Sequence, residues 1–158
     1  MTWIDKLHEL GVTPLDGKAF SPISDGELKQ IEATIGNALP DDYRDFLGRF
    51  GDCDLEEYGV FPTEGGGVAP GTFFGRHLPN AISDFGERLP RMVVPINDDG
   101  AGNLMCISVR PESYGAIYFQ SHSAGWDTAA EDVDAAKQET LVRLASSFGE
   151  FICGLVVE

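Results

Sequence analysis

The sequence predicts an α+β fold in which helices lead, short strands follow and a helix closes the chain. Three observations carry that expectation. Ahead of residue 52, apolar residues recur at helical spacing behind capping sequences. Beyond it, Gly and Pro recur every few residues, with short β-branched or aromatic runs between them. Near the end, a second Ser-x-x-Glu sequence precedes an apolar run. Helices and strands gathered into separate runs read as α+β.

Each element has a local reason. Thr2 caps a first helix over about residues 2–10, with Asp5 as a weak capping partner; Ile4 and Leu7 share a face and Gly11 and Pro14 end the run. Residues 11–23 read as a linker, anchored by Phe20 and Ile23. Ser24-Asp-Gly-Glu27 is a stronger capping box. Leu28, Ile31 and Ile35 follow it at helical spacing, and Gly36 suits the left-handed position after the helix. After Leu39-Pro40, Asp41 or Asp42 caps a third helix with Tyr43, Phe46, Leu47 and Phe50 on its apolar face.

The predicted strands are Tyr58–Phe61, Met92–Ile96, Leu104–Val109, Ala116–Gln120 and Leu141–Leu144. Leu104–Val109 is apolar on both faces, so it is central and covered on at least one side. Asn97-Asp-Asp-Gly-Ala-Gly-Asn103 has turn chemistry throughout and reads as a hairpin loop, and Pro111-Glu-Ser-Tyr-Gly115 as the next turn. Ser147-Phe-Gly-Glu150 caps a closing helix over about 147–156. A single helix over 134–156 competes, but Gly149 costs it about 1 kcal/mol relative to Ala.

The chain has 158 residues and a net charge of −15, from 26 Asp and Glu against 11 Lys and Arg. That length implies one domain over 1–158. The charge excludes nonspecific binding to nucleic acid or an anionic membrane, which are negative too. An apolar fraction of 42% is too high for a disordered acidic chain. No apolar run approaches the roughly 18 residues of a membrane span, and no signal peptide is visible. Cys53, Cys106 and Cys153 are odd in number and lack C-x-x-C spacing, which fits free thiols in a reducing cytoplasm.

Four segments in order resemble a known family. They are helix 24–35 running into Leu39-Pro40-Asp-Asp-Tyr43-Arg-Asp-Phe46-Leu47, the phrase Val94-Pro-Ile-Asn-Asp-Asp-Gly100-Ala-Gly102-Asn103-Leu-Met-Cys-Ile-Ser108, then Gly115-Ala-Ile-Tyr-Phe119, and Leu144-Ala-Ser-Ser-Phe148-Gly-Glu-Phe151-Ile. The set is similar to the Smi/Knr-type domain of the SUKH superfamily over roughly 23–156. The resemblance implies a twisted antiparallel sheet flanked by an N-terminal helix pair and a C-terminal helix. It also implies a bacterial immunity protein that binds and neutralises a cognate toxin. The alternative it carries is a regulatory or scaffold domain of the cell-wall-assembly-regulator kind, with no toxin partner. The chain departs from the family pattern at Phe50-Gly-Asp52, where an Asn-Gly-Gly-like turn is usual, and in the added helix over 2–10.

No catalytic constellation emerges, and no catalytic residue, metal site or cofactor is assigned. His8, His77 and His122 lack zinc-ligand spacing. Cys106 reads as a small core residue, and nothing in the sequence selects it for a dyad with His122. Gly65-Gly-Gly-Val-Ala-Pro-Gly71 lacks the Lys-Ser/Thr of a phosphate loop. Counted from Asp98, the twelfth position is Val109 rather than the Glu of a calcium loop.

The acidic residues are unevenly spread. Asp52, Asp54, Glu56, Glu57 and Glu64 fall between Gly51 and Gly75, and Glu112, Asp127, Glu131, Asp132 and Asp134 between Pro111 and Ala136, with no Lys or Arg in either stretch. Two such surfaces steer a basic toxin. The expected contacts are Asp52, Asp54, Glu56, Glu57, Asp127, Glu131, Asp132 and Asp134, with Tyr58, Phe74 and Trp126 as aromatic anchors. A solvated loop face and core packing are the competing roles.

Overall fold

The computed structural model describes residues 1–15, 17 and 19–158. Asp16 and Lys18, within the predicted linker, lie outside the described residues. The elements run α1 (Trp3–Glu9), β1 (Val12–Pro14), α2 (Asp25–Ile35), α3 (Asp41–Arg49), β2 (Cys53–Leu55), β3 (Gly59–Val60), β4 (Thr72–Phe73) and α4 (Leu78–Phe85). They continue with β5 (Val93–Asp98), β6 (Leu104–Ser108), β7 (Ile117–Gln120), α5 (Val133–Gln138), β8 (Val142–Ala145), α6 (Phe148–Cys153) and β9 (Val156–Val157).

The chain is α+β. Seven strands form one antiparallel sheet in the order β1-β2-β4-β5-β6-β7-β8, and β3 pairs with β9 in a small second sheet. β5 and β6 are joined by the predicted hairpin loop, and the register slips at a bulge between Pro95 and Asn97.

Both predicted capping boxes at the start of the chain are present. Thr2 and Asp5 exchange bonds at 3.1 Å in each direction. Ser24 Oγ accepts from the Glu27 N–H at 3.2 Å, and the Glu27 carboxylate accepts from the Ser24 N–H at 3.3 Å. Gly36 takes the left-handed conformation, φ 93°, that ends α2. The cap predicted for α3 is different: Pro40 occupies that position and makes no side-chain bond. Asp42 instead accepts from the Gly149 N–H at 2.9 Å, inside the first turn of α6.

The closing helix is shorter than predicted. Gly154 ends it, Leu155 is buried, and Val156–Val157 pair with Gly59–Val60 as a strand. Strand β8 at Val142–Ala145 rules out a continuous helix over 134–156.

The core lies against one face of the central strands. Leu7 and Leu10 of the α1 region, Leu28 and Ile31 of α2, Tyr43, Phe46 and Leu47 of α3, and Phe148, Phe151 and Ile152 of α6 pack together with Val94, Ile96, Met105 and Ile107. Its centre is aromatic, with the Phe46 and Phe148 rings 4.9 Å apart. Alternate residues Val93, Leu104 and Cys106 belong to a second cluster with Leu89, so β6 is apolar on both faces as predicted. The added helix α1 joins the core by setting Trp3 edge-on to Phe148 at 5.7 Å. No helix among the described residues is long and apolar enough to cross a membrane.

Candidate protein-binding surface

The turn Phe50-Gly-Asp52, where the sequence leaves the family pattern, builds the most distinctive site. Gly51 has φ 73°, and a Cβ there would collide with the Ser21 carbonyl oxygen. A Cβ on Gly75 would collide with the backbone of Gly51 and Asp52. Two glycines therefore let two loops cross in direct backbone contact. The crossing buries Asp52, whose carboxylate accepts from the Gly75 N–H at 2.6 Å and the His77 N–H at 3.3 Å. Its other oxygen lies 3.0 Å from His77 Nδ1. Helix α4 has no side-chain cap of its own at His77. Asp52 instead accepts from backbone N–H groups just ahead of the first turn, and so anchors the chain where α4 begins.

With α4 fixed there, a cleft of about 430 Å³ opens between it and the ends of β4 and β5. Asp52, Asp84 and Asp98 line it, and among the described residues no Lys or Arg does. Phe74 and Phe85 form an aromatic wall, their rings near-parallel at 6.4 Å. Asp54 stands beside it and accepts from the Thr72 hydroxyl at 2.7 Å. Asp52 and Asp98, partly withdrawn from water and each accepting from a backbone N–H, keep a negative potential that favours a cationic group, and the exposed Asp84 adds to it.

The predicted contact residues divide by environment. Asp52 is buried and committed to α4, so it is not an exposed contact. Glu56 and Glu57 are exposed beyond β2, held by backbone bonds to Gly11 and Leu10 at 3.0 Å each. Tyr58 beside them is 64% exposed. Phe74 lines the cleft while stacked on Phe85, and so joins packing to access.

In the second stretch, Asp127 and Glu131 are exposed. Asp132 caps α5 by accepting from the Ala135 N–H at 3.0 Å. Asp134 is tied to Arg91 and to Arg110, the latter at 3.0 Å, so its charge is neutralised internally and it is not a free contact. Trp126 is half-buried beneath the Lys137 ammonium, 5.4 Å from its ring centre. The two stretches do not merge. One follows β2, the other lies in the β7–β8 connection, and β4, β5 and β6 stand between those strands.

Sequence reasoning missed Asp84, Asp98 and Phe85 as site residues because it did not find α4. The signal was present: Pro79 in the first turn, with Leu78, Ala81, Ile82 and Phe85 at helical spacing.

The thiol–imidazole pair is not assembled. Cys106 is fully buried, which pushes its thiol up to about 12. The exposed His122 ring instead engages the Asn103 side chain at 2.9 Å. Among the described residues, no group of three or more His, Cys, Asp or Glu is placed to hold a metal ion.

Comparison with known proteins gives two matches. Residues 22–154 match the SMI1 / KNR4 family (SUKH-1). The chain is also 32% identical, over 169 aligned positions, to the SPbeta prophage-derived uncharacterized protein YokK of Bacillus subtilis (strain 168). That alignment covers 91% of this chain and 81% of the relative.

Proposed function

The chain belongs to the SMI1 / KNR4 family (SUKH-1), and from that premise we propose that it is a non-catalytic immunity protein of the cytoplasm. It binds a cognate bacterial toxin and neutralises it by covering the toxin's active or substrate-binding surface. The observation that carries this reading is the cleft beside α4, where Asp84 and Asp98 join the buried Asp52 and an aromatic wall, with no Lys or Arg among the described lining residues. An arginine of a basic partner suits it, because a guanidinium pairs with carboxylates and stacks on aromatic faces. The net charge of −15 draws such a partner in. The prophage derivation of the Bacillus subtilis relative supports the same reading.

The test is co-expression with the product of the adjacent gene. Restored growth together with a stoichiometric complex supports the reading. A neighbour that is not toxic, or that kills regardless and does not co-purify, defeats it.

A further inference from the structure

The two edges of the main sheet are β1 and β8. They are finished differently. β1 has three residues and ends in Pro14, and the chain around it is held by Gly11 and Leu10 bonding to Glu56 and Glu57. β8 has four residues, Val142–Ala145, without Pro and with one charged side chain, Arg143. Among the described hydrogen bonds, none joins its backbone to any element except β7. Its Val142 side chain is 54% exposed. Natural edge strands of this kind are usually blunted, because unpaired backbone groups template another strand.

A groove of about 850 Å³ runs beside this edge. Phe119, Val142 and Leu144 line it on the sheet side, and Phe61 and Val68 on the side of the bridged loop that faces them. Phe119 and Val142 are cross-strand partners, so the groove lies on the sheet face that β7 and β8 share. Glu64 lines the groove, Glu139 lies three residues ahead of β8, and Glu150 accepts from the Ser146 N–H just after the strand; among the described residues none of the three is in an ion pair. Arg143 is the basic residue among the groove's lining.

We propose that β8 receives an extended segment of a protein partner, which adds to the sheet as an eighth strand. Its alternate apolar side chains enter the Phe119–Val142–Leu144 groove, and basic residues at its ends meet Glu64, Glu139 and Glu150. Backbone bonds to the edge supply affinity and the groove selects the side chains. A second copy of this chain is a poor occupant, since each copy carries −15. The inference concerns a surface apart from the acidic cleft, and it holds whether the partner is a toxin or another protein. Its test therefore uses no toxin.

The full isotope-labelled chain is titrated with a synthetic peptide, acetyl-Lys-Lys-Val-Thr-Val-Thr-Val-Lys-amide, and backbone amide shifts are followed. Saturable shifts are expected at Val142–Ala145, Phe119 and Val68. The same peptide N-methylated at alternate residues loses about two backbone bonds and is expected to bind about tenfold more weakly. Val142→Asp, at an exposed position, should cause a similar loss while the rest of its spectrum overlays the parent's. The inference is overturned by shifts gathered instead at Asp84 and Asp98, or by equal binding of the methylated peptide. It is equally overturned by no response at millimolar peptide, or by a dimer of the free chain that protects the same amides.

Discussion

The carboxylate of Asp42 on α3 accepts a hydrogen bond from the backbone N–H of Gly149 on α6, at 2.9 Å across 107 positions of sequence. Together with the Ser147 hydroxyl, which accepts from Glu150 N–H at 3.0 Å, it satisfies the exposed donors at the start of α6. The bond clamps the third helix to the last one, the same two helices that meet through Phe46 and Phe148. Asp42→Ala should cost about 1 kcal/mol, as other lost helix caps do. Asp41→Ala, at a neighbouring exposed residue, should cost less, within about 0.5 kcal/mol. Urea unfolding midpoints of the two variants check the difference.

The crossing of Gly75 over Gly51 sets the position of α4. Gly75→Ala places a methyl against the Gly51–Asp52 backbone. Backbone cannot move aside as a flexible side chain can, so the loss should be about 1–3 kcal/mol, in the range of overpacked cores. Shifts in the His77 and Asp84 amides should accompany it, because Asp52 would lose its register with α4. Thermal unfolding and amide spectra of the variant measure both effects.

Asp134 gives the chain an acid-sensitive tie. Burial disfavours its charge, but the Arg91 N–H and the Arg110 guanidinium outweigh that and hold its carboxyl below the ordinary range. A lowered folded-state value means that the contribution is fully present above the ordinary carboxylate range. It is lost as pH falls through the lowered value. Asp134→Asn should therefore be less stable than the parent at neutral pH, with the gap closing in acid. Unfolding midpoints across an acid pH series test the sign.

The three thiols should react at different rates. Burial pushes Cys53 and Cys106 up to about 12, whereas Cys153 is exposed. A thiol reagent at neutral pH should modify Cys153 in the native chain and reach Cys53 and Cys106 after unfolding. Rapid native labelling of Cys106 would contradict the packing of β6.

The parts legible in the sequence are those whose cause is local. Ser24 with Glu27, and the apolar spacing of Tyr43, Phe46 and Leu47, announce α2 and the inward face of α3. The uninterrupted apolar run of β6 announces a central strand, and the ordered motifs announce the family. Strands β2 and β4 were illegible because three and two residues carry no alternation, and their pairing is set by neighbours distant in sequence. The cleft was legible only in pieces. Asp52 and Phe74 stood out, but Asp84 and Asp98 reach them through the crossing at Gly51 and Gly75. Asp134 shows the converse: an acidic residue in a stretch without Lys or Arg is neutralised by Arg91 and Arg110, remote in sequence.

The acidic cleft's role in capture is tested most directly by the association rate with the co-expressed partner across a salt series, for the parent chain and for Asp84→Lys. Asp84 is exposed on α4 and lines the cleft, so the charge can be reversed without disturbing the core. The account predicts a one-to-one complex whose association slows as salt rises. It predicts that Asp84→Lys lowers the rate by about tenfold at low salt and flattens the salt dependence. A complex that forms at the same rate at every salt concentration, and equally fast with Asp84→Lys, would contradict it.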